Sequence, residues 1–356
     1  MDATVNGGRE SADRGHRGVR TPERPDRPRH RLADTRRGHH DQDRRCSTRA
    51  TTPRTDPVGM PGVHPVTTHE LHGTEKPVLD FDRLEQHIDE LRASYASASP
   101  YPHVVFEDFL DPDALSQAMA EFPPIDSPEW NAYMHTNERK LSRTDPETWG
   151  PMLQQILREL NSPRFVEFVG QLIGVDDLMA DPSLEGGGLH QSTTGGYLNI
   201  HADFTVHPAH RQWQRRANLL LYFNEDWKPE YGGDLELWSR DMKQCVKKVS
   251  PVANRALIFT TDIDTFHGHP EPMTCPEGTA RRSLALYYFS QEVDPRVRST
   301  EYRARPGDGF RSVFIYGDKQ LLRTYDWAKR RLGLSDEIAF KLLAVRDRFR
   351  RKGPPD

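Results

Sequence analysis

Gly195-Gly-Tyr-Leu-Asn-Ile-His201-Ala-Asp203-Phe is the stretch on which the reading of this chain turns. Two glycines mark a turn, and an apolar–polar alternation from Tyr197 to Phe204 follows it, as in a half-buried strand. Side chains two apart on a strand point the same way, so His201 and Asp203 share a face and can close on one ion. The chain contains three other His-x-Asp/Glu pairs, and each fails on context. His39 and Asp41 lie in an Arg/Pro-rich segment that cannot hold ligands rigidly, and His87 and Asp89 fall where Leu84, Ile88, Leu91 and Tyr95 recur at helical spacing, which splays residues two apart. His269 and Glu271 are separated by Pro270.

Downstream the pattern stays β. Asn218–Phe223, Gly232–Trp238, Cys245–Val249, Arg255–Thr260 and Ser283–Phe289 read as short strands with turn residues between them. Such spacing predicts an antiparallel jelly roll, mainly β with flanking helices. His267 follows His201 by 66 positions, enough chain for the strands to return to the starting point. Two histidines and one carboxylate form the facial donor set that holds non-haem Fe(II) with positions left open.

Tyr197–Asp203, Tyr222-Phe-Asn224, Gly232–Leu237, Phe266-His267 and Arg282 together resemble the 2-oxoglutarate and Fe(II) dependent oxygenases, in their prolyl 4-hydroxylase-like branch, over roughly residues 102–291. The resemblance implies a double-stranded β-helix core with His201, Asp203 and His267 as iron ligands. It implies an arginine on the last strand for the distal carboxylate of 2-oxoglutarate, with Tyr222 and Tyr197 completing that carboxylate's hydrogen bonding. Arg281 and Arg282 are adjacent, and alternation sends only one inward; Arg282 is chosen because it shares a face with Leu284 and Leu286. Between His267 and His269 the choice is His267, since Pro270 disturbs the strand beside His269. The implied cofactors are Fe(II), 2-oxoglutarate and O2, with ascorbate as reductant. The implied reaction is hydroxylation of a C–H bond with release of succinate and CO2, on a small-molecule or peptidyl substrate. The alternative is a non-catalytic metal-binding or oxygen/2-oxoglutarate-sensing cupin-like protein, because fold does not fix function. A halogenase would need a small residue in place of Asp203.

Around this core (191–295) the sequence divides into an Arg/Pro-rich arm (1–76), a helical and strand support region (77–190) and C-terminal helices (296–356). The arm has fourteen arginines within residues 1–54 and no aromatic residue, so it reads as disordered. Interspersed acids and the lack of stacking groups argue against nucleic-acid binding, and translation from near Met60 would remove most of the arm. In the support region Asp82 is expected to cap a helix over Leu84–Tyr95, and Asp111-Pro112 to open one running to Phe122. Residues 151–173 read as one helix, and residues 130–143 as a polar, aromatic loop facing the substrate. Residues 321–332 and 335–349 read as amphipathic helices that pack on the core or pair two copies into a homodimer. Cys46, Cys245 and Cys275 lack metal or disulfide spacing, and no apolar run could span a bilayer, which points to a cytoplasmic protein.

Overall fold

The structure, a computed structural model, describes residues 76–309 together with 312 and 315. The N-terminal arm before residue 76 and the two expected C-terminal helices lie outside the described residues.

The chain enters through α1 (Phe81–Gln86) and α2 (Ile88–Ser97), then β1 (His103–Phe106) and α3 (Pro112–Glu121). The expected single helix over 84–95 is therefore two, and its cap is Asp80, whose carboxylate accepts from the Arg83 amide, rather than Asp82. At α3 the expectation holds: Asp111 accepts from the amides of Asp113 and Ala114, and Pro112 occupies a first-turn position where a missing N–H costs nothing. Next come β2 (Asn131–Met134) and β3 (Glu138–Arg143), an antiparallel hairpin where a loop was expected. The stretch 151–173 is also two helices, α4 (Pro151–Leu160) and α5 (Pro163–Ile173). Pro163 cannot donate into α4, and Ser162 instead caps α5 by accepting from the Phe165 amide.

The strands follow: β4 (Met179–Ala180), β5 (Gly188–Ser192), β6 (Tyr197–Ala202), β7 (Trp213–Tyr222), β8 (Leu235–Trp238), β9 (Cys245–Val249), β10 (Ala256–Thr260), β11 (His267–His269), β12 (Arg281–Gln291) and β13 (Glu301–Tyr302). They form one continuous antiparallel sheet in the order β1-β10-β7-β12-β5-β3-β6-β11-β8-β9, with β2 on β3, β4 on β12 and β13 on β6. Strands distant in sequence interleave, as they must when two sheets are wound from one double-stranded β-helix. β3 links the two halves by pairing with both β5 and β6.

The two faces of the β10-β7-β12 layer have different partners. Leu219, Leu221, Ile258, Leu284, Leu286 and Tyr288 bury against Leu153, Ile156, Leu160, Phe165, Phe168 and Val169 of α4 and α5. Tyr288 Oη closes this layer with a 2.9 Å hydrogen bond to the Leu160 carbonyl. The opposite face of the same strands carries smaller or polar groups, Asn218, Ser283 and Ala285 among them, and these border a cavity. The helical layer thus stiffens the sheet from behind, and its front is left for chemistry.

Candidate metal centre

β6 ends one residue before Asp203, and β11 begins at His267, which pairs directly with His201 across the sheet. That register brings the two imidazoles together, ring centroids 4.5 Å apart and planes tilted by 51°. His201 Nε2 lies 3.5 Å from Asp203 Oδ1, and His267 Nε2 lies 3.4 Å from Asp203 Oδ2. One ligand atom from each of the three residues falls within 4.8 Å of the other two, and all three residues are buried.

Both imidazoles are oriented from behind. His201 Nδ1 is 2.9 Å from the Asn199 carbonyl and His267 Nδ1 is 3.1 Å from the Thr265 carbonyl, each two residues upstream. A carbonyl can only accept, so Nδ1 carries the proton and Nε2 presents its lone pair inward, the tautomer a metal ligand requires. Burial pushes the His267 ring down to about 4, which keeps it neutral. Burial acts the other way on Asp203, but the Arg215 guanidinium outweighs it and holds the carboxyl well below its usual range. Arg215 Nη2 donates to Asp203 Oδ2 at 3.0 Å and Asn218 Nδ2 donates to the same oxygen at 2.7 Å. The guanidinium is itself clamped, with Nε on Asn218 Oδ1 at 2.7 Å and its plane 3.3 Å from the centre of the Tyr287 ring. Oδ1 is left as the oxygen best placed for a cation.

The triad opens into a cavity of about 250 Å3. Arg281 reaches it from β12, 6% exposed, with Nε donating 2.8 Å to the Gly233 carbonyl and Nη2 3.3 Å to Tyr222 Oη. His190, His269 and Lys140 line the same chamber. Tyr133, Phe204, Tyr287 and Tyr302 supply aromatic walls, Tyr302 with its ring centroid 5.5 Å from that of His201. Two nitrogens and one oxygen at chelating separation, with the tautomers fixed and a cation-lined chamber beside them, fit Fe(II) and a dicarboxylate.

Residues 187–289 match the 2OG-Fe(II) oxygenase superfamily. Over this stretch the chain is similar to that superfamily. No curated protein sequence matches the chain. Among solved structures, it is similar to a Pseudomonas putida prolyl-4-hydroxylase, at 21% identity over 57% of this chain and 100% of that one, with a TM-score of 0.41. A Trichoplax adhaerens prolyl hydroxylase in complex with a hypoxia inducible factor peptide fragment is similar at 17% identity over 59% of this chain and 91% of that one, TM-score 0.44. HygX from Streptomyces hygroscopicus, with nickel, 2-oxoglutarate and hygromycin B bound, is similar at 14% identity over 53% and 82% of the two chains, TM-score 0.34.

The structure brings His201, Asp203 and His267 together and corrects two other assignments. Arg282 does not enter the cavity. It follows Leu284 and Leu286 onto the helical side, where its guanidinium lies 5.4 Å from the Phe122 ring centre in a groove at the edge of α3. The residue that turns inward is Arg281, in line with Ser283, Ala285 and Tyr287. Tyr222 stands behind Arg281, as its hydrogen bond shows. Tyr197 points elsewhere: its hydroxyl reaches the carbonyls of His135 and Thr136 at 3.2 and 3.1 Å, tying β6 to the tip of the β2–β3 hairpin. Lys140 belongs to the 130–143 segment read as substrate-facing, whereas Arg215, Asn218 and His190 were not singled out from sequence as site residues. Arg215 stands between Gln214 and Arg216, ahead of the apolar run that begins after Asn218, so its sequence neighbourhood gives no sign of burial. Among the described residues no helix is long and apolar enough to cross a membrane.

Proposed function

We propose that this protein is an Fe(II) and 2-oxoglutarate dependent dioxygenase that hydroxylates a C–H bond and releases succinate and CO2. The observation that carries the reading is the convergence of His201 Nε2, Asp203 and His267 Nε2 within 4.8 Å, in a cavity that Arg281 also lines. Fe(II) bound by the three residues, with 2-oxoglutarate, supplies the activation of O2 that protein side chains cannot. The remaining work falls to this chain. His201, Asp203 and His267 would hold the iron with three protein donors, a set that leaves coordination positions for co-substrate and O2. Arg281, held in place by Gly233 and Tyr222, presents a planar guanidinium to the distal carboxylate. The aromatic walls exclude water and define the substrate's approach.

The β2–β3 hairpin brings Tyr133, Glu138 and Lys140 to the cavity, and we assign it substrate contact. Ascorbate belongs to the same reading, as the reductant that restores iron after uncoupled turnover. The test is an anaerobic titration of the purified protein with Fe(II) and 2-oxoglutarate, following the weak visible charge-transfer band of the chelate. The band is expected in the wild type and absent in Asp203→Ala. Full metal loading of the wild type with no band would overturn the proposal, and succinate formation under O2 would separate an enzyme from a sensing module.

A further inference from the structure

The Arg281 end of the cavity holds more nitrogen than one carboxylate needs. Arg281 pairs with Ser192 and Ser283 pairs with His190 across β12 and β5, and all four line the cavity. His190 is therefore the diagonal neighbour of Arg281 on the cavity face. Diagonal neighbours stand about 7–8 Å apart, which leaves room for a carboxylate between a guanidinium and an imidazole. His190 Nε2 is buried and has no hydrogen-bond partner, while the ring is already bonded to the Gly187 backbone. A buried polar atom left unpaired at the wall of a cavity points to a ligand.

The groups facing His190 are Lys140 from β3, Arg281 from β12 and His269 from β11. Burial first, then the charges of Lys140 and Arg281, hold the His190 ring well below its ordinary range, so it stands neutral. With its other nitrogen committed to Gly187, a neutral ring offers only a lone pair at Nε2, which cannot bond a carboxylate.

We propose that His190 is a second binding residue for the distal carboxylate of the co-substrate, and that it takes up one proton from solvent as that carboxylate arrives. This rests on the 2-oxoglutarate reading above. The incoming negative charge offsets Arg281 and Lys140 and sits opposite Nε2, reversing the electrostatic reasons for neutrality. The only covalent change is a proton moving from water to Nε2, which then donates a charge-assisted hydrogen bond. Binding coupled to uptake of one proton must weaken as pH rises, by about tenfold per pH unit between the free and bound protonation ranges.

The test is calorimetry of 2-oxoglutarate binding to the anaerobic Fe(II)-loaded protein, at one neutral pH in two buffers of different ionisation heat. Wild type, His190→Phe and His190→Gln are compared, with Fe(II) loading and thermal unfolding checked for each. Expected are uptake of close to one proton by the wild type, none by either variant, and affinity at least tenfold weaker in His190→Phe. His190→Gln, whose amide donates without a proton from solvent, should recover part of that loss. Binding by the wild type with heats independent of buffer, or uptake that persists in His190→Phe, would overturn this inference and leave the oxygenase reading standing. A wild type that loads iron but binds no 2-oxoglutarate would remove both.

Discussion

At the scale of single residues, adjacent arginines on one strand divide two jobs. Arg281 faces the cavity and Arg282 faces α3, so Arg281→Ala should raise the 2-oxoglutarate concentration needed for half-maximal charge-transfer signal by roughly 10- to 100-fold, the worth of a lost charged hydrogen-bonding partner. Arg282→Ala should leave that titration nearly unchanged, and equal effects would show that the assignment is wrong. Alternation was legible in the sequence, but the identity of the inward face was not. Leu284 and Leu286 look like lining residues, yet large apolar side chains go to the thicker apolar layer formed by α4 and α5. A face that must leave space for a ligand carries Ser283 and Ala285 instead. Arg215 illustrates the same limit, since its meaning depends on Asp203, twelve residues away and reached only through the fold. Removing the guanidinium leaves Asp203 buried with one partner fewer. Arg215→Met should therefore destabilise the metal-free protein by about 3–5 kcal/mol, the usual cost of breaking a buried pair, read by urea unfolding.

At the scale of elements, the metal centre depends on one pairing, β6 against β11. His201 opposes His267 only because the backbones approach closely at Gly268, where an added Cβ would lie 2.7 Å from the Leu198 carbonyl oxygen and 2.8 Å from that of Asn199. Both neighbours are backbone atoms of the partner strand and cannot swing aside. Gly268→Ala should force the strands apart, costing about 1–3 kcal/mol of stability as overpacking does. Because the same shift separates the two imidazoles, Mn(II) affinity measured by paramagnetic resonance should fall as well. An unchanged affinity in a destabilised protein would mean that the ligands do not depend on this register. Sequence periodicity located β6 and the strands after it, yet missed the hairpin of β2 and β3. Asn131–Met134 is exposed at every position, so no buried face imposes an alternation on it. Its strand state comes from pairing with β3 and from the Tyr197 hydroxyl at its tip, both long-range effects. The breaks at His87 and Asn161 were missed for a related reason: an apolar stripe continues across them, and only the local caps show that two helices share it.

At the scale of the whole molecule, a β-helix that builds a metal site in its interior must bury titratable nitrogen before the metal arrives. His103, His190, His267 and His269 are all held below their ordinary value of 6.5, in each case chiefly by burial. The consequence for stability has a definite sign. Below pH 6.5 the unfolded chain binds a proton at each of these rings while the native protein refuses it, so stability rises with pH there and is lost as pH falls. For His267 the loss continues until about 4, where the native ring also takes its proton. Each ring contributes a slope approaching about 1.4 kcal/mol per pH unit once the unfolded form is fully protonated. Metal-free protein should therefore keep a nearly constant melting temperature from pH 8 to 7 and lose it steeply between pH 6.5 and 5. Removing a ring outside the metal site isolates one contribution: His103→Gln should make the acid limb shallower without altering Fe(II) binding. A melting curve flat through pH 5 would mean that these rings are already protonated in the fold. In that case the neutral, lone-pair-inward arrangement that makes His267 a ligand would have to be established by the metal itself rather than awaiting it.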